Sequence, residues 1–176
     1  IEKLEEEAAK EEPRKLRYVL RDLAVAENAF AYEYTGYLSN IHSVKAYFDA
    51  NLDMLESQKF YSLFAPNQKV YTKVKNEEPT YYATSSEVKR SQFASGSIVR
   101  GKVENSVISR NVDLSEGSSV SHSIIFPRVN VAKGATVEYA IVDKGVEIAE
   151  GVTIRGTENN PVVIKKGSVV TEDIVR

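Results

Sequence analysis

Residues 103–170 repeat on themselves, and nothing else in the chain restricts the fold as much. Written in blocks of 17, the segment reads VENSVISRNVDLSEGSS, VSHSIIFPRVNVAKGAT and VEYAIVDKGVEIAEGVT, followed by a 16-residue variant, IRGTENNPVVIKKGSV. Glycines fall at 117, 134, 151 and 167, and branched apolar residues open successive blocks at Val103, Val120, Val137, Ile154 and Val170. A period of this length implies stacked structural units. Inside the blocks, Ile108, Leu114 and Val120, then Ile125, Val131 and Val137, then Val142, Ile148 and Ile154 recur at steps of six, six and five. Three short parallel strands per turn, each with one branched side chain inward, account for those steps and make a triangular coil. The expected fold class is mainly β, a left-handed parallel β-helix of the hexapeptide type preceded by a short α/β segment. Gly117, Gly134, Gly145, Gly151, Gly167 and Asn111 sit where its corners need positive φ. The lack of helices between strands argues against a βαβ sheet, and the lack of a Leu/Asn pattern against a leucine-rich repeat. Residues 88–102 read as an irregular first coil.

The N-terminal half lacks this order. Residues 2–12 form an acidic helix broken near Pro13, and Leu16, Val19, Leu20 and Leu23 mark a second helix by their spacing. Between residues 29 and 37, Phe30, Tyr32 and Tyr34 alternate with smaller or polar residues, which predicts a strand ending at Gly36. Ser43 is placed to cap a helix over 44–57, with Val44, Tyr47, Phe48, Leu52 and Leu55 on its apolar face. That face is expected to pack under the repeat or against a further domain. Residues 58–87 read as a Pro-punctuated connector with one strand at 69–74. The chain opens on Ile rather than Met, so it is expected to be a piece of a longer protein.

The residues carry little chemistry of their own. There is no Cys, hence no disulfide, thiolate metal site or Cys nucleophile, and a reducing cytoplasm is compatible with that. Net charge is −2, shared evenly enough to argue against nucleic acid as a partner, and no apolar run suits a membrane span. His122 stands where neighbouring blocks have Asn105 and Tyr139, and reads as a surface or stacking residue rather than a catalytic one. His42 precedes a helix cap. No Ser–His–Asp spacing, phosphate loop or GxGxxG is present. From the residues alone, the chain is a binding or assembly module.

Two stretches carry a resemblance. GYLSNIHS at 36–43, followed by VKAYFDANLDML, resembles the end of the catalytic domain of glucose-1-phosphate adenylyltransferases, where the pattern is Gly-Tyr-Trp-x-Asp-Val-Gly-Thr before a similar helix. KVYTKVKNEEPTYY, VENSVIS and AIVDKGVEIAEG are similar to that family's C-terminal β-helix. The resemblance implies a remnant of the nucleotidyltransferase domain at 1–40, a linking helix and connector at 41–87, and the β-helix at 88–176. It also implies a cytoplasmic oligomer, a tetramer by family, that makes ADP-glucose and pyrophosphate from ATP and glucose 1-phosphate for glycogen biosynthesis. The family's catalytic Asp, which holds Mg²⁺, falls at Asn40, while Leu38 and His42 replace its Trp and Gly. A neutral amide is a poor ligand for a hard cation, so no catalytic residue is assigned and no cofactor is expected in this stretch. The expected role is that of a regulatory subunit, with a catalytic glucose-1-phosphate adenylyltransferase subunit as partner and Mg²⁺ in that partner. Lys144 and Lys165 match the family's effector-binding lysines, which take a sugar phosphate or phosphate. An active subunit is the first alternative. The second is a hexapeptide-repeat acyltransferase, which wants a His on a loop between coils, whereas the blocks here show no inserted loop.

Overall fold

The structure is a computed structural model describing residues 2–27, 29–65 and 69–176; positions 66–68 of the expected connector lie outside the described residues, with Ile1 and Asn28. Two compact units emerge, Ile1–Gly36 and Tyr37–Arg176.

In the first unit, helix α1 (Glu2–Ala8) and helix α2 (Leu16–Ala26) flank Pro13. A charged clamp joins them. Arg14 donates from Nε and Nη2 to the two oxygens of buried Glu7, each at 2.9 Å, and from Nη1 to Asp22 at 2.7 Å. Hydrogen bonds from Arg14 and then Lys10 hold the Glu7 carboxyl far below the usual carboxylate range. The strand expected over 29–37 does not form. Phe30 and Tyr32 are 94% and 89% exposed. Alternation makes a strand only when a neighbouring strand takes its backbone hydrogen bonds, and this unit provides none among its described residues.

In the second unit, helix α3 (Val44–Leu52) starts where Ser43 Oγ accepts the Ala46 N–H at 3.1 Å. It stops five residues short of its expected end. Asn51 Nδ2 takes the Tyr47 carbonyl at 2.8 Å, competing with the helical ladder. A 3₁₀ turn follows (Asp53–Leu55), and Lys59 ties it by ion pairs to Asp53 at 2.6 Å and Glu56 at 3.1 Å. Helix α4 (Ser57–Leu63) then occupies the start of the expected connector. The strand expected at 69–74 is absent as well, with Val70, Tyr71 and Val74 exposed and no strand beside them.

The repeat folds into a triangular solenoid of parallel strands, six in each of two sheets and five in the third. It begins at Tyr81–Tyr82, ahead of the boundary expected at residue 88. Its first coil is short, with Ile98 pairing Asp113 and Val88 pairing Val103, 15 residues on. Ile108, Leu114, Val120, Ile125, Val131, Val137, Val142, Ile148 and Ile154 all point inward and are at most 1% exposed. Each such burial contributes about 1.5–3 kcal/mol, and close stacking of like on like excludes voids. Buried serines stitch one corner. Ser106 Oγ donates to Glu104 O at 2.7 Å and accepts from Ser123 N at 3.1 Å, and Ser123 repeats this with Ser121 O and Ala140 N.

The register expected for the fourth block is wrong. Ile125 pairs with Val142, 17 residues on, but Val142 pairs with Ile164, 22 residues on. The extra five residues form a protruding turn at 157–161, with Thr157 bridged to Asn160. Gly167 therefore stacks on Gly145, its N–H reaching Lys144 O at 2.9 Å, and not on Gly151. Counting from glycine to glycine hides the insertion, because a longer corner is followed by a glycine from a different corner. The coils do carry an inserted loop, though TENNP contains no His.

Candidate functional site

The corners of the solenoid differ in chemistry. One column uses glycine at 117, 134 and 151, with φ of 70–73°, where a left-handed residue costs least. Another column places Arg90, Asn105, His122 and Tyr139 at φ of 42–47°. Side chains other than Asn cost about 1–2 kcal/mol in that region, so this column retains them against a backbone penalty. The four residues stack in successive coils. Asn105 N–H reaches Lys89 O at 3.1 Å, His122 N–H reaches Glu104 O at 3.0 Å, and Tyr139 N–H reaches Ser121 O at 3.3 Å. The His122 and Tyr139 rings lie 4.8 Å apart at 17°, so the stacking expected of His122 is present. Asn105 Nδ2 sits 3.2 Å from His122 Nε2. His122 Nδ1 is buried without a hydrogen-bond partner.

Helix α3 lies against this column. Phe48, 1% exposed, packs on Ile124 and Ile141 of the adjacent sheet, with Tyr47, Leu52, Phe126 and Tyr139 around them. Of the apolar face predicted for α3, Tyr47, Phe48 and Leu52 thus cover the repeat, while Val44 is exposed. Between helix and corner runs a groove of about 630 Å³ whose walls include Lys45, Asp49 and Asp53 on one side and Arg90, Asn105, His122 and Tyr139 on the other. Glu158, from the protruding turn, also lines it. Lys45 pairs with Asp49 at 2.6 Å, and Tyr37 donates to Asp53 at 3.0 Å. Burial, and then the bond to Asp53, push the Tyr37 phenol above its usual range. The groove was not legible as a site in the sequence, although the run Asn105, His122, Tyr139 at one block position pointed toward it.

Lys144 and Lys165 fall in neighbouring coils, just past the paired residues Val142 and Ile164. Both are exposed, and Lys166 and Arg128 share their corner, since Gly167 N–H binds Lys144 O and Gly145 N–H binds Pro127 O. No carboxylate is ion-paired to any of these four among the described residues. Asn40 lies apart, exposed, with its carbonyl accepting the His42 N–H at 3.1 Å. Asn40 supplies one neutral amide oxygen, and among the described residues no group of three His, Cys, Asp or Glu converges to hold a metal. These residues do not fit a Mg²⁺ site. No described helix is long and apolar enough to cross a membrane.

Comparison with known proteins adds to this geometry. The sequence model of the GlmU-like C-terminal hexapeptide matches residues 73–175. The glycogen biosynthesis protein GlgD of Bacillus subtilis is 41% identical over 141 residues, 80% of this chain and 41% of the relative. GlgD of Geobacillus stearothermophilus is 54% identical over 127 residues, 72% of this chain and 37% of the relative. A glucose-1-phosphate adenylyltransferase of Mycoplasma mobile is 30% identical over 105 residues, 60% of this chain and 27% of the relative. The chain spans less than half the length of these relatives.

Proposed function

Since the chain belongs to the family of GlmU-like C-terminal hexapeptide domains, we propose that it is the C-terminal assembly and regulatory part of a GlgD-type subunit in glycogen biosynthesis. Its partner is the catalytic subunit of a glucose-1-phosphate adenylyltransferase, with which it forms an oligomer in the cytoplasm. The observation that carries this reading is the 54% identity to a GlgD protein; the resemblance adds that Asn40 falls where the family carries its metal-binding Asp. Nucleotidyl transfer depends on a metal to neutralise charge developing on the phosphates, and an amide supplies no charge for that ion. In this reading the solenoid is a rigid platform. α3, docked on it through Phe48, is the mechanical link from the platform to the segment carrying Asn40.

Regulation is assigned to the basic corner. Lys144 and Lys165, with Lys166 and Arg128 beside them, present donors that suit a phosphate or sugar-phosphate effector. The full-length protein, assayed alone for ADP-glucose formation with ATP, glucose 1-phosphate and Mg²⁺, is expected to be inactive. Robust Mg²⁺-dependent turnover sinks the regulatory assignment. Asn40→Asp is expected to raise whatever residual activity exists.

A further inference from the structure

The groove between α3 and the corner column has features that packing α3 does not require. Tyr139 is explained by its contact with Phe48. Arg90 is not, because it is exposed, sits at φ 42°, and has no ion pair among the described residues. Glu158 is exposed and equally unpaired, and it reaches the groove only because the chain inserts a turn at 157–161. His122 Nδ1 is the buried polar side-chain atom left without a partner among the described residues, and it belongs to the groove wall. Backbone strain and an unmet polar group at one place mark a wall shaped for use.

The charges select among ligands. Four carboxylates line the groove, Asp49, Asp53, Glu56 and Glu158, against two cations, Lys45 and Arg90. Lys45 is already held by Asp49, and Asp53 and Glu56 by Lys59, which leaves Glu158 and Arg90 facing the groove with opposite charges. A phosphate or carboxylate ligand would pair with Arg90 but be repelled by Glu158. A purely apolar ligand would strip water from the carboxylates and the Asn105 amide without replacing those hydrogen bonds. A ligand dense in hydroxyls and without charge meets both conditions. Its O–H groups donate to Glu158 and Asp49, its oxygens accept from Arg90 and Asn105, and its C–H surface rests on Leu52, Leu55 and the Tyr139 ring. The volume lies within the range of small-molecule sites.

We propose that this groove is a carbohydrate site that takes an uncharged mono- or short oligosaccharide. The inference goes beyond the subunit assignment and concerns a face distinct from the basic corner. It is tested by titrating the full chain with glucose and maltotriose and following backbone amide NMR signals. The choice of glucose-based probes leans on the proposed pathway, so cellobiose and sucrose are titrated beside them; binding of any uncharged sugar supports the site whichever pathway the subunit serves. Shifts are expected at residues 45–56, 90, 105, 122, 139 and 158. Glu158→Gln and Arg90→Ala, both exposed and therefore compatible with the fold, should each weaken binding tenfold or more with an unchanged melting temperature. Glucose 1-phosphate and inorganic phosphate should perturb these residues less than the uncharged sugars. Absence of shifts there with every sugar overturns the proposal, as does binding that survives both substitutions or tighter binding of the anionic probes in this groove.

Discussion

Residues 29–36 and any inner coil of the solenoid carry the same alternation of large apolar and small or polar residues, yet only the coil becomes strand. Phe30 and Tyr32 stand in solvent, while Val120 and Val137, whose neighbours alternate no better, are at most 1% exposed. The difference is the neighbour. Each coil finds a copy of itself in register above and below, Val103 on Val120 on Val137 on Ile154. A parallel ladder and an inward column follow together. The aromatic segment has the pattern and no partner strand among the described residues, so its backbone has no ladder to join. Periodicity is therefore evidence of structure only when the repeat supplies its own partner strands.

That contrast can be broken at several places. Leu114→Ala should remove about 2–5 kcal/mol, because a coil fixed from both sides cannot collapse onto the cavity; thermal unfolding of the solenoid measures it. Ser123→Ala deprives the Ala140 N–H of its acceptor inside the stack. It should cost about 1–3 kcal/mol in the same melt. In the first unit, Glu7 holds its charge against acid. With its folded pKa below its unfolded value, the Arg14–Glu7 clamp stabilises at pH above the unfolded carboxylate value of about 4.3. That contribution is lost only as pH falls through the lower folded value. Helix signal from α1 and α2 should thus persist at pH 4 and fade in stronger acid, and Glu7→Gln should reduce the dependence to that of Asp22 and Glu27, whose carboxyls are also held low by Arg21, Arg14 and Lys3. Smallest is Tyr32→Ala, expected within about 0.5 kcal/mol of the parent. A large loss there would show that the aromatic segment is packed and that the contrast with the coils is false.

Much of the fold was readable because the solenoid's physics is one-dimensional. The inward residues of three blocks, the positive-φ corners at Asn111 and at Gly117, Gly134, Gly145, Gly151 and Gly167, and most of the covering face of α3 follow from spacing. The errors share a cause. Strands at 29–37 and 69–74 were inferred from local pattern, but pairing is not local. The fourth block was read from Gly167, and five inserted residues moved that glycine to another corner. The groove escaped notice for a similar reason, since Arg90, Asn105, His122 and Tyr139 share no residue type. The 17-residue blocks align the last three, but only stacking adds Arg90 and shows that they form one corner facing α3. Lys144 and Lys165 were named by resemblance, whereas Lys166 and Arg128 join them only once the register is known.

The most direct test of the subunit assignment is the rate of ADP-glucose formation by a purified catalytic glucose-1-phosphate adenylyltransferase subunit, measured with and without the full-length protein. The account predicts no product from the protein alone and a co-purifying assembly with the catalytic subunit. In that assembly the rate or the effector response should change at least severalfold. Product formed by the protein alone, or a catalytic rate untouched by it at saturating concentration, would contradict the account.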